Sequence, residues 1–167
     1  MHTRPPLQIL HLEDDVNDAE LVRTMLAAKG VVSNITLVQS RDEFSSALER
    51  DEFDLIISDF TLPSFNGAAA LAMAREKCPD VPFIFLSGTI GEDAAIESLL
   101  DGATDYVLKQ KPSRLVPAVR RALREAEERK ERRRAEEELK LFRTLVDRSN
   151  DAIEVLDPET GRFLDVN

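Results

Sequence analysis

Cysteine and histidine are nearly missing from this 167-residue sequence: Cys78 stands alone, and the histidines are His2 and His11. One cysteine excludes an internal disulfide framework. So few cysteines and histidines also exclude a clustered zinc site. No apolar run approaches the ~20 residues of a membrane span. The opening Met1-His2-Thr3-Arg4-Pro5-Pro6 lacks the apolar core of a signal peptide. A cytoplasmic chain with no membrane segment in this stretch is the expectation. Basic charge is in deficit, 22 residues against 32 acidic ones, for a formal net charge of −10. That balance disfavours non-specific nucleic-acid binding, so no nucleic-acid partner is expected. The length suits one domain plus something more, enough to bury a core without metal or disulfide staples.

The charge is unevenly spread. Residues 1–117 carry a net −9, residues 118–142 a net +2 and residues 143–167 a net −3. Between Arg120 and Lys140 the chain is almost entirely Arg, Lys, Glu, Ala and Leu, without glycine or proline. Such a composition reads as a long exposed helix or coiled coil. The expected organisation is a domain over 1–120, a helical connector over 121–141 and the start of something else over 142–167.

Within the first segment, short apolar runs alternate with amphipathic stretches. Strands are expected at Leu7–Leu12, Ile35–Val38, Leu55–Asp59, Pro82–Leu86 and Tyr106–Leu108. Helices are expected over 18–29, Arg41–Glu49, Gly67–Lys77 and Glu92–Leu100, with a last one from near Leu115 whose first turn holds Pro117. Glycine is scarce, and every one before the connector falls at a junction between these elements. Five strands alternating with five helices specify a parallel sheet covered on both faces.

Ligands of such sheets bind beyond the carboxyl ends of the strands. The first strand ends on Glu13, Asp14 and Asp15, the third on Asp59, the fourth on Ser87 with Gly88 and Thr89, the fifth on Lys109. Taken singly each has an ordinary explanation: an aspartate at a strand end commonly caps a turn or helix, and a lysine is commonly surface charge. Asp15 fits that bland role, as the acidic flank of the first helix. The coincidence of four strand ends is different. Clustered carboxylates need a compensating cation, and hard oxygen ligands of this kind suit Mg²⁺. A lysine and a hydroxyl opposite can pair with phosphate oxygens. The chemistry is that of a Mg²⁺-assisted phosphoryl site with a carboxylate as nucleophile.

These residues carry a resemblance. Leu12-Glu13-Asp14-Asp15, Asp59-Phe60-Thr61-Leu62-Pro63 with Gly67, Leu86-Ser87-Gly88, and Gly102-Ala103-Thr104-Asp105-Tyr106-Val107-Leu108-Lys109 occur in the order and spacing of the receiver domain of two-component response regulators. The resemblance runs from about Leu7 to Arg124. It implies a flavodoxin-like doubly wound α/β fold, a five-stranded parallel sheet of order 2-1-3-4-5, extended here by a long C-terminal helix. It implies Asp59 as phosphoacceptor. Glu13, Asp14, Asp59 and the backbone carbonyl of Thr61 would hold Mg²⁺. Ser87 and Lys109 would bind the phosphoryl group, and Ser87 and Tyr106 would form the switch. The partner would be a histidine kinase or phosphotransfer protein, and the chain itself no turnover enzyme. Two departures stand out: Gln110 follows Lys109 where the family usually has proline, with Lys111-Pro112 two residues on, and Val16 replaces a proline common after the acidic cluster. Lys109, which ends the strand, is the assigned lysine rather than Lys111.

The tail has its own resemblance. Phe142–Asp147, Asn150–Asp157 and Gly161–Asn167 are similar to the opening of a PAS sensory domain: a short helix, a strand, a turn at Asp157–Gly161 and a second strand. A fragment of a longer signalling protein is implied. In the connector, Leu115, Val119, Ala122 and Ala126 are spaced 4-3-4, as are Ala135, Leu139, Phe142 and Val146, and the two sets are out of phase. A homodimer through this helix is expected, passing a signal from the receiver to the PAS-linked output; the plainer alternative is a solvated helix held by ion pairs four residues apart. Two other functions fit the residues less well. A Mg²⁺-dependent phosphohydrolase with an aspartyl-phosphate intermediate wants a second Asp where Thr61 stands. A purely structural scaffold leaves the strand-end cluster unexplained.

Overall fold

The computed structural model describes residues 5–63, 65–88, 97, 99–147, 154–156, 160 and 163–166. The chain divides into two compact units, Met1–Ala126 and Glu127–Asn167. In the first, β1 (Leu7–Leu12), β2 (Ser33–Val38), β3 (Leu55–Ser58), β4 (Phe83–Ser87) and β5 (Asp105–Leu108) form a sheet of order β2-β1-β3-β4-β5. Every neighbouring pair in it is parallel. Helices α1 (Val16–Ala28), α2 (Arg41–Arg50) and α3 (Gly67–Lys77) lie between strands, and α4 (Leu115–Asp147) follows a 3₁₀ turn at Pro112–Arg114. The expected Glu92–Leu100 helix falls mostly outside the described residues. Among the described residues no helix is long and apolar enough to cross a membrane.

The sheet separates two hydrophobic cores, and strand alternation decides which residue goes where. Leu10 and Leu12, Ile56, Phe83 and Phe85 join Phe44, Ala47, Leu71 and Ala74 of α2 and α3 on one face. Ile9, Leu55, Ile57, Ile84, Leu86 and Val107 join Val22 and Leu26 of α1 and Val116, Val119 and Ala122 of α4 on the other. Each fully buried Leu, Ile or Phe contributes about 1.5–3 kcal/mol of transfer free energy. Both faces are covered, so the central strands read as unbroken apolar runs rather than alternating ones.

Element ends differ from the sequence reading where side chains or pairing intervene. β2 starts at Ser33, two residues early, because Ser33 and Asn34 pair with Leu7 and Gln8 of β1. α1 starts at Val16 because the Asp15 carboxylate accepts from the Asn17 N–H at 2.8 Å, capping the first turn. One expectation is corrected: Phe142–Asp147 is not a separate short helix but the last turns of α4. No glycine or proline occurs between Ala118 and Asp147 to stop it. Beyond it, β6 (Glu154–Leu156) and β7 (Phe163–Val166) form an antiparallel pair with a register shift at Val155/Leu156.

Candidate functional site

The carboxyl ends of β1, β3, β4 and β5 meet at one edge because the strands are parallel and in register. The Asp59 N–H donates to the Leu12 carbonyl at 2.9 Å, and the Lys109 N–H to the Ser87 carbonyl at 2.8 Å. These bonds set the residue after each strand beside its neighbour. Glu13 and Ser87 are buried, and Asp59 is 7% exposed. One carboxylate oxygen from each of Glu13, Asp14 and Asp59 lies within 4.8 Å of the others.

Lys109 reaches across the sheet to this cluster. Its Nζ donates to Glu13 Oε2 at 2.8 Å, to Asp59 Oδ2 at 2.7 Å and to Asp18 Oδ2 at 2.6 Å. Burial disfavours the ammonium, but bonds to Asp18, Asp59 and Glu13 outweigh it and hold its pKa above the usual lysine range. Burial pushes the Glu13 carboxyl up, opposed by its bond to Lys109. A buried carboxylate left without that partner would cost several kcal/mol. Lys111, the alternative lysine, is exposed. Gln110, where the family has proline, donates its side-chain amide to the Gly88 carbonyl at 2.9 Å and so ties the β4 and β5 loops together.

The exposed Thr61 meets Asp59 through its N–H, which donates to Asp59 Oδ1 at 3.1 Å. Tyr106 is half-buried on β5, and its hydroxyl is enclosed with no hydrogen-bond partner among the described residues. Burial raises the Tyr106 phenol; the neighbouring Ser87 hydroxyl opposes, short of ordinary bond geometry, and the Asp59 charge adds. Gly67 opens α3 where a Cβ would stand 2.8 Å from Phe85 Cε1 and 2.9 Å from the Asp59 carbonyl oxygen. The glycine therefore lets α3 start against the backbone that carries Asp59.

Two residues were not singled out from the sequence. Asp18 shares Lys109 across 91 residues of chain; an acidic residue in a first helical turn is too common to mark a site. His11 is wholly buried on β1, and neither ring nitrogen has a hydrogen-bond partner among the described residues. Burial, assisted by Lys109, lowers its pKa to about 4. A histidine in an apolar strand gives no signal of what it faces.

Residues 9–120 match the family described as the response regulator receiver domain. The chain belongs to that family. Membership of that family is consistent with self-catalysed aspartate phosphorylation rather than turnover of a separate substrate. The regulatory protein LuxO of Vibrio cholerae is 35% identical over 116 residues, which is 69% of this chain and 25% of that protein. The receiver chain thus spans about a quarter of the length of the curated relatives it matches. Among solved structures, NtrX from Brucella abortus is 25% identical with a TM-score of 0.68, over 75% of this chain and 28% of that one. The phosphorylated cyanobacterial phytochrome response regulator RcpA is 26% identical with a TM-score of 0.58, over 66% and 86%.

The donor chemistry fits Mg²⁺: three carboxylates converge within reach of one ion, and hard oxygen donors are what that ion takes. The buried Glu13 and the nearly buried Asp59 carry negative charge that one lysine shares with Asp18.

Proposed function

We propose that this receiver takes a phosphoryl group on Asp59 from a phospho-histidine of a histidine kinase or phosphotransfer protein. The observation that carries the reading is the position of Asp59: nearly buried at the end of the central β3, with one oxygen on Lys109 and the other accepting from the Thr61 N–H. Asp59 attacks phosphorus; a P–O bond forms, the P–N bond breaks, and the imidazole leaves. Glu13, Asp14 and Asp59 would hold Mg²⁺, with the Thr61 carbonyl as a further ligand. Bound there, Mg²⁺ would neutralise the oxygens gathered around the transferred group. Lys109 and Ser87 then bind the phosphoryl oxygens, Lys109 as a point charge and Ser87 as a hydroxyl donor. Tyr106 and Ser87 form the switch: the Tyr106 hydroxyl is already enclosed and without a bond among the described residues, so a movement of Ser87 toward the phosphoryl group changes what it meets.

We further read the chain as a receiver over 1–120, a signalling helix over 121–141 and a PAS start over 142–167. In support, α4 runs without interruption from the receiver core, and β6 and β7 are an antiparallel pair after it. The switch then acts on the β5–α4 face and passes through α4 to a PAS-linked output. Exposed Leu139 and Phe142 support a homodimer through that helix. The reading places the chain in the cytoplasm, where ATP-fed kinases work.

The test is mass spectrometry after incubation with a small phosphodonor and Mg²⁺. The native chain gains one phosphoryl group, and Asp59→Asn gains none. No gain in the native chain, or a gain that survives Asp59→Asn, overturns the reading.

A further inference from the structure

Lys109 has three N–H donors and no acceptor, and all three are taken. Its partners are Glu13 and Asp59 at 2.8 and 2.7 Å and Asp18 at 2.6 Å. Two of these belong to the carboxylate cluster that gathers within 4.8 Å; Asp18 does not. It sits instead in the first turn of α1, with its side chain 35% exposed. That turn is held in place by the Asp15 cap and by Ala19 and Val22, which are buried in the core.

A divalent cation among Glu13, Asp14 and Asp59 draws the lone pairs that Lys109 now uses and repels the ammonium directly. Without another partner, Lys109 would have to leave for solvent or oppose the ion. Among the described residues, Asp18 is the carboxylate outside the cluster that can keep it. Its fixed place in the first turn of α1, outside the cluster, lets it hold the ammonium beside the cluster without competing for the ion.

We propose that Asp18 is a positioning residue: it retains Lys109 beside the site while a divalent cation is bound, and so sets the cation affinity of the unphosphorylated chain. This rests on the reading of Glu13, Asp14 and Asp59 as Mg²⁺ ligands. Before the ion enters, removing Asp18 leaves Lys109 two carboxylates. With the ion present it leaves Lys109 no carboxylate outside the cluster among the described residues. The loss therefore falls on the cation-bound state, and affinity drops. Once a phosphoryl group is in place, it takes over as the partner of Lys109, and Asp18 matters less.

Mg²⁺ titration of the full chain by calorimetry tests this as a double-mutant cycle. Asp18→Asn is expected to weaken Mg²⁺ binding about fivefold, the size of one partly exposed ion pair. In a Lys109→Met background the same change is expected to shift it less than about twofold, since only the screened field of Asp18 remains. Equal shifts in both backgrounds mean Asp18 acts by its own charge and overturn the proposal, as does no shift in either. A native chain that binds no Mg²⁺ overturns both this and the reading it rests on; a native chain that binds normally while Asp18→Asn is unchanged overturns this alone. A second readout needs no Lys109 variant. The Lys109 ammonium signal in ¹⁵N NMR is expected to survive Mg²⁺ addition in the native chain and to be lost by water exchange in Asp18→Asn. Its loss in the native chain, or its survival in Asp18→Asn, overturns the proposal.

Discussion

His11 lies two residues before Glu13 on β1, fully enclosed, with both ring nitrogens unpaired among the described residues. A buried polar group without a partner costs about 1–3 kcal/mol relative to an apolar side chain of similar shape. His11→Leu is therefore expected to raise stability at pH 7 by about 1 kcal/mol or more, read as a higher urea midpoint with unchanged slope. The acid limb should change as well. Folded His11 titrates at about 4 against 6.5 unfolded. The unfolded chain therefore binds the extra proton between those values. Stability is fully present above 6.5 and falls as pH drops toward 4, by up to about 3 kcal/mol. Glu13 works in the other direction: its carboxyl is raised above 4.5, so its contribution is present below that value and is lost as pH rises. Unfolding midpoints at pH 7 and pH 5 should converge in His11→Leu relative to the native chain; an unchanged gap would show that other groups set the acid limb. At this scale the sequence drew attention to Glu13, Asp14, Asp59, Ser87 and Lys109, because each stands at or just beyond the end of a strand. It did not expose Asp18 or His11, whose meaning depends on a lysine some ninety or more residues away.

The start of α3 shows how an element serves the site. The Gly67 N–H donates to the Phe60 carbonyl at 3.0 Å, and the Asn66 side chain caps the helix by accepting from the Ala69 N–H. A methyl at Gly67 would press on Phe85, on the Asp59 carbonyl and on Phe60 Cα, two of them backbone that cannot rotate away. Helix propensity favours alanine by about 1 kcal/mol, but a forced backbone shift in a packed core costs about 1–3 kcal/mol. Gly67→Ala is expected to be net destabilising in urea and to slow Asp59 phosphorylation. Gly88→Ala, which meets nothing within 4 Å among the described residues, is the control and should leave stability within about 0.5 kcal/mol. A neutral Gly67→Ala would show that the β3–α3 loop is looser than the contacts describe. The sequence placed this glycine at the helix start; only packing revealed that its missing Cβ makes room for the backbone of Asp59.

On the scale of the whole molecule, the unit ending at Ala126 holds both cores and all the site residues. A chain ended at Ala126 is expected to bind Mg²⁺ as the full chain does. Saturating Mg²⁺ at about a hundred times its dissociation constant should stabilise both by about 2.7 kcal/mol, removed by a chelator. Calorimetry and melting curves of the two lengths check this, and a large difference would make the second unit part of the site. The proposed homodimer would belong to the other unit. Sedimentation equilibrium should show concentration-dependent dimers for the full chain and monomers for the chain ended at Ala126. Leu139→Asp with Phe142→Asp should abolish association; a dimer that survives would lie elsewhere.

The local chemistry of the chain determined its element order. Apolar runs of strand length, glycines at the junctions and amphipathic stretches between them permit little besides a doubly wound parallel sheet. The strand-end residues followed from that order, since parallel strands deliver their carboxyl ends to one edge. What the tertiary structure alone decided was the partnership of charges at that edge. Three carboxylates from β1, α1 and β3 share a single ammonium from the end of β5. Each bond is short because the strands pair in register and α1 is packed onto them. No local pattern encodes such a meeting, because the energy of an ion pair depends on separation in space and on the water excluded around it, and not on separation along the chain.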